Sequence, residues 1–464
     1  MSNIWANNGG VYLGYMTETT QGTDPPVAAP LMYGRDRHIV TFGPNGSGKT
    51  RRLLVPNLIG LKDWSIVVID PKGELCRMTA MHRANRGGKI MVLNPFNLFG
   101  MPSDGFNPVM ALDPKSDDFA DDALTLADAI IKTSPHDRDP HWSQSAQDLV
   151  AALIMYARLI HLRADDDDNI GYDGNLAFVR RCLGKKADDF RAVVEDMIAT
   201  GEKADCEELV IKASRWIDID PDNKELNSIL STALTQTRWL DSKAIKRDLN
   251  VTNKIDFASL KNEPTTVYLI LPAERMTTQS PWLRLMIAAI MQKLMKSASK
   301  PKVPSLLMFD EFAQLGHMSV IENNVALMRG YGVKLWAVFQ DLAQAKDIYS
   351  QRWESFMGNA GVLNGFAPQD VVTAEYMSQR TGVTTIPITT ASAAQSTVGK
   401  DAHNPTLNYS TMQKPLMYAQ EVREMDDGFT LAFTHIAKGT VRTFAPFYTE
   451  LPNMAAVAAL DPSL

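Results

Sequence analysis

Residues 43–50 read GPNGSGKT. The run fits G-x-x-x-x-G-K-[ST], the loop that cradles phosphate groups. Gly43, Gly46 and Gly48 let the backbone curl through Pro44, Asn45 and Ser47, so that successive N–H groups point at phosphate oxygens. Lys49 offers a positive charge to the β- and γ-phosphates, and Thr50 offers a hydroxyl to Mg²⁺. The context agrees. HIVTF, residues 38–42, reads as a strand running into the loop, and a helix is expected to leave it with its positive N-terminal end aimed at the same anion. Pro56 falls inside that helix and is expected to kink or shorten it.

Outward from the loop, short apolar runs rich in β-branched residues recur at SIVVID (65–70) and KIMVL (89–93). Helical stretches such as Glu74 to Arg86 lie between them. Such alternation predicts an α/β fold with a mainly parallel sheet. A triphosphate loop needs an acidic partner for Mg²⁺. LLMFDE, residues 306–311, supplies one: Asp310 emerges at the end of a buried strand, where it can hold Mg²⁺ through water. Glu311 beside it can polarise the attacking water, an arrangement suited to ATP hydrolysis with a glutamate base. The next strand, KLWAVF, ends at Gln340, which either senses the γ-phosphate or simply faces water. Arg329, in MRGYG, is either a surface arginine or one that reaches a neighbouring subunit's γ-phosphate. DPKGEL, residues 70–75, is a charged turn that places Asp70 at a strand's carboxyl end, where ligands gather in such sheets.

The pattern divides the chain. Residues 1–30, polar and ending in DPPVAAP, read as an extended lead-in. Residues 31–110 carry the first part of the nucleotide-binding domain. From 111 to 255 strand-like runs nearly vanish, while Trp142, Ala146, Leu149, Val150, Leu153, Ile154 and Ala157 recur at helical spacing, as do Leu226, Ile229, Leu230, Ala233 and Leu234. This stretch reads as an inserted all-α domain, with the acidic run Asp165 to Asp168 in a solvated loop. Strand-like runs return at 266–271, 305–309, 333–339 and 441–448, so the sheet resumes over 256–464. Residues 388–412, rich in Ser, Thr, Asn and Ala, read as a mobile loop.

At 464 residues, with 45% hydrophobic residues, the chain can bury more than one core. Its 47 basic and 53 acidic residues leave a net charge of −6, which does not advertise a nucleic-acid coat protein. Arg51, Arg52, Lys243, Lys246 and Arg247 could line a pore, or could be ordinary solvated charges. Cys76, Cys182 and Cys206 are far apart and make no metal-ligand spacing. The N-terminus has no basic region followed by an apolar run, and no stretch approaches the length of a membrane span, so a cytoplasmic chain without a transmembrane segment is expected.

Together these segments resemble the TraG/TraD-type coupling proteins of type IV secretion and conjugation. The resemblance is carried by GPNGSGKTRRLLVPNLI, WSIVVIDPKGELCRMTAMHR, VLNPF and DGFNPV, and then by LLMFDEFAQLG, VALMRGYGVKLWAVFQDLAQ and IYSQRW. It covers roughly residues 31 to 450. It implies a RecA-like P-loop motor interrupted by an all-α domain, with ATP and Mg²⁺ bound at the interfaces of a homo-hexameric ring. Lys49 and Thr50 then match the loop pair, Asp310 and Glu311 the Mg²⁺ acid and catalytic base, Gln340 the strand-end glutamine and Arg329 the arginine finger. The implied cargo is DNA, single-stranded and carried with its relaxase, or secreted effector proteins, received by the all-α domain. Typical members carry N-terminal membrane helices, whereas this sequence starts almost directly before the motor. It is therefore expected to sit peripherally at the inner membrane, recruited by the secretion system's inner-membrane components. Two rivals remain: a soluble double-stranded DNA translocase resembling FtsK or HerA, and a docking platform that binds ATP with little turnover.

Overall fold

The structure is a computed structural model, and it describes residues 9–19, 29–133, 140–166, 174–217, 223–296, 301–392, 406–436, 439–452 and 454. Thirteen strands are present among these residues: β1 (Val11–Thr19), β2 (Pro30–Tyr33), β3 (His38–Phe42), β4 (Ser65–Ile69), β5 (Lys89–Leu93), β6 (Thr265–Leu269), β7 (Ser305–Phe309), β8 (Val333–Phe339), β9 (Ala360–Phe366), β10 (Val383–Ser392), β11 (Thr406–Pro415), β12 (Phe429–Thr434) and β13 (Thr440–Phe444). Eleven of them form one sheet in the order β2-β1-β13-β12-β9-β3-β8-β7-β4-β6-β5. From β9 to β5 every pairing is parallel. From β9 outward to β2 every pairing is antiparallel. The central strands are buried on both faces, which is why they read as unbroken apolar runs instead of alternating ones.

Part of the segment expected as a lead-in belongs to this sheet. Val11, Tyr12 and Leu13 are buried, and β1 pairs with β13. The cause is non-local. Asn57 Oδ1 accepts the Tyr12 N–H at 2.7 Å, and its amide donates to the Tyr12 carbonyl at 2.9 Å, so the helix behind the P-loop fixes β1. The 388–412 segment is also not a plain loop where it is described: β10 and β11 pair antiparallel from Val383↔Pro415 to Ser392↔Thr406 as a separate two-stranded ribbon. Residues 393–405, between those strands, lie outside the described residues.

Between β5 and β6 the described residues contain helices and turns but no strand. The 26-residue helix His141–Asp166 is the spine of this region, and its stretch Leu149, Val150, Ala151, Ala152, Leu153, Ile154, Met155 is fully buried. Asp167 and Asp168, half of the expected acidic loop, lie outside the described residues. Helix Met276–Met295 packs against helix Phe119–Ile130, and this joins the helical region to the sheet's core. No helix among the described residues is long and apolar enough to cross a membrane.

Candidate functional site

Because β3, β8, β7, β4 and β6 run parallel, their carboxyl ends open on one edge of the sheet, and the loops that follow them meet there. The loop after β3 carries Gly46 and Gly48 at φ 83° and 75°, conformations that a side chain would strain. The helix that follows begins with a π-helical turn, Thr50–Leu54, in which the Val55 N–H donates to the Thr50 carbonyl. It continues as a short α-helix, Val55–Gly60, with Pro56 in its first turn. The expected effect of Pro56 is realised in this way: a residue without an N–H sits where the ladder changes pitch, and the helix ends early at Gly60.

A cleft of about 490 Å³ opens over this edge. Asn45, Gly46, Gly48, Lys49 and Thr50 line one part of it, and Asp70, Asp310 and Glu311 another. Lys49 is buried. Thr50 Oγ donates to Asp310 Oδ2 at 3.0 Å. Asp310 Oδ1 and Ser47 Oγ are both buried without a hydrogen-bond partner. A hydroxyl and a carboxylate with an unsatisfied oxygen between them are the hard donors that Mg²⁺ takes, together with phosphate oxygens. The residues present therefore fit the metal that the sequence implies.

Of the expected residues, Gly43, Pro44 and Ser47 of the loop, together with Gln340 and Arg329, stand outside the residues that line the cleft. Gln340 follows β8, between the P-loop strand and the acid strand, and its N–H is held by Gln344 Oε1 at 3.0 Å. Arg329 lies in the turn before β8, at the opposite end of that strand, exposed and 3.6 Å from Asp36. Among the suggested pore residues, Arg52 is turned inward: it is buried and bonded to the Ala445 carbonyl and Asp427. Arg51 lines the cleft, and Arg247 donates to the Pro95 carbonyl at 2.9 Å. The cleft also contains Lys72, Glu74, Gln314 and Phe447, to which no role had been given. The first two were within the DPKGEL turn, and Gln314 lies three residues past Glu311, donating its amide to that carboxylate. Nothing in sequence spacing points to Phe447.

The acids crowd one another. Burial raises the Asp310 carboxyl, and Lys49, the Thr50 hydrogen bond and Lys72 pull it back. Burial and Asp310 raise Glu311, again opposed by Lys49 and Lys72. Burial pushes Asp70 up to about 7 despite the N–H groups of Cys76 and Leu75, and Asp310 and Glu74 push the same way. This shift has a consequence for stability. Between the unfolded carboxyl value of about 4 and about 7, Asp70 is protonated in the fold and ionised in the unfolded chain. Its contribution is therefore full below pH 4 and is lost as pH rises to about 7. Asp70→Asn is expected to remove this slope. In urea unfolding of the nucleotide-free chain from pH 5 to 8, wild type should lose about 2–3 kcal/mol relative to the variant. Parallel profiles would mean that the carboxyl is solvated or paired with a cation.

The model for the type IV secretory system conjugative DNA transfer family matches residues 6–456. The chain belongs to this family. Among its relatives, conjugal transfer protein TraG of Escherichia coli is 25% identical over 409 residues, which cover 85% of this chain and 62% of TraG. The type IV secretion system-coupling protein VirD4 of Bartonella quintana is 24% identical over 413 residues, covering 87% of this chain and 62% of VirD4. The chain thus spans about three-fifths of the length of these relatives. Among solved structures, the conjugative coupling protein TrwBdeltaN70 in complex with sulphate superposes with a TM-score of 0.67 at 15% identity, covering 95% of this chain and 96% of that one. TrwB in complex with ADP and Mg²⁺ gives 0.62 at 15% identity, covering 96% and 97%. The fold of this conjugative DNA transfer family member is therefore the RecA-like P-loop α/β fold.

Proposed function

We propose that this chain is the ATP-hydrolysing motor of a coupling protein that drives DNA, or effector proteins, into a type IV secretion channel. The observation that carries the reading is the meeting of Lys49, the Thr50–Asp310 hydrogen bond and Glu311 in one cleft. The names of TraG and VirD4, and the ADP and Mg²⁺ bound by TrwB, support the same reading. In it, Lys49 and the loop N–H groups hold the β- and γ-phosphates. Thr50 and Asp310 hold Mg²⁺, which when bound neutralises phosphate charge. Glu311 orients a water and accepts its proton, Gln340 senses the γ-phosphate, and Arg329 enters from the neighbouring subunit of a homo-hexamer. Residues 31–110 and 256–464 then form the motor domain, and residues 111–255 form an all-α domain that receives the cargo, single-stranded DNA with its relaxase or a protein. The chain works at the cytoplasmic face of the inner membrane, against the secretion system's membrane components.

The test is ATP turnover by the purified chain, alone and with single- or double-stranded DNA, beside Lys49→Ala. Turnover that single-stranded DNA raises and Lys49→Ala abolishes is the expected result. Turnover that grows with duplex length would favour a double-stranded DNA translocase. Binding of ATP without turnover in any condition would favour a docking platform.

A further inference from the structure

The cleft is built from two flanks of the P-loop strand. The acids arrive on one side, from β7 and β4 beyond β8. From the other side, beyond β9 and β12, comes the segment after β13, and it brings Phe447, the one aromatic side chain among the described residues lining the cleft. Its placement is fixed from both ends. Ala445 N–H donates to the Gly428 carbonyl at 2.8 Å, Phe447 N–H donates to Glu450 Oε2 at 2.7 Å, and the next residue, Tyr448, is buried in the core. The ring lies over the Arg52 guanidinium, 3.7 Å from Cζ to ring centroid. That guanidinium is itself clamped by the Ala445 carbonyl and Asp427, both at 2.6 Å. The ring edge also abuts the P-loop: a Cβ on Gly48 would lie 3.3 Å from Phe447 Cε1.

A phenyl ring backed by a buried cation, braced against a phosphate loop and left partly exposed in the cleft is a preformed stacking surface. The acids mark the γ-phosphate end of the cleft, and the ring stands by the first turn of the P-loop helix on the opposite flank. We infer that Phe447 is the platform for the nucleobase of the bound triphosphate, a subsite that takes a purine by its π-face. A phenyl ring carries no hydrogen-bonding group, so the subsite holds the base without reading its edge, and adenine and guanine nucleotides both use it. This inference rests on the proposal that the cleft binds ATP.

The experiment is calorimetric titration of the full chain with Mg²⁺ and either a non-hydrolysable ATP analogue or inorganic tripolyphosphate, which has phosphates but no base. Phe447→Ala is expected to weaken the ATP analogue about ten- to a hundredfold, the loss of one stacked base, and to leave tripolyphosphate affinity unchanged. Phe447→Trp is expected to keep the affinity for the ATP analogue. Unchanged affinity for the ATP analogue in Phe447→Ala overturns the inference and leaves the motor reading standing. Equal loss for both ligands also overturns it, because the ring then acts only through Arg52 and the phosphate loop. If wild type binds neither ligand, both readings fall together.

Discussion

Glu311→Gln is expected to lower ATP turnover by at least about a hundredfold while leaving ATP affinity nearly unchanged. The substitution keeps the shape of the side chain and removes only its ability to take a proton. In the proposed site affinity resides elsewhere, in Lys49, the N–H groups of the loop and Phe447, so binding and chemistry should separate at this position. The Glu311 carboxylate accepts a hydrogen bond from the Gln314 amide, within a cleft where burial and Asp310 both oppose its charge. A base held half-desolvated in this way is poised to accept a proton when a water is placed before it. The measurement is a pair of numbers for each variant: steady-state turnover, and the dissociation constant for ATP. Lys49→Ala should lose both, and Glu311→Gln only the first. If Glu311→Gln turns over at the wild-type rate, the base is another group.

The features legible in the sequence were local ones. The P-loop announces itself because its glycines, lysine and threonine must be consecutive to wrap one phosphate chain. Strands β3, β4, β7 and β8 are visible because burial on both faces demands unbroken apolar runs. Strand β9, AGVLNGF, fails that test, and for a physical reason. A Cβ on Gly361 would lie 1.8 Å from the Tyr33 hydroxyl, and one on Gly365 would lie 2.4 Å from Met377 Cε. Close approach by distant residues dictates glycine there, at the cost of strand-like composition. Strand β1 was missed for a similar reason, since its partners β13 and Asn57 are remote in sequence. The site divides in the same way. Asp310 and Glu311 end a readable strand, whereas Phe447 reaches the cleft only because β13 is carried across the sheet to the other flank.

The same topology makes Arg329 a test of assembly. Arg329 precedes β8, and the cleft opens beyond its other end. Seven residues of strand span roughly 20 Å at about 3.3 Å each, too far for an arginine side chain to bridge. Arg329 can therefore serve a nucleotide only in another subunit. Among the described residues Arg329 pairs with Asp36, an exposed carboxylate 3.6 Å away, and such surface pairs contribute little, so this contact does not tie the side chain down. If Arg329 is the finger of the proposed ring, Arg329→Ala is expected to lower turnover by about a thousandfold, the usual effect of losing an arginine finger, with ATP affinity retained. Mixing then separates a finger from a structural residue. A subunit carrying Arg329→Ala keeps its own P-loop, and a neighbour carrying Lys49→Ala keeps its arginine. In a random ring of equal parts, about a quarter of the interfaces join these two intact halves. Two preparations that are each inactive should regain turnover toward that fraction when mixed and reassembled. Recovery would require that the site be shared between subunits. Mixtures that stay inactive would mean that Arg329 acts within its own chain, through the turn before β8, and that the ring's chemistry must find its cation elsewhere.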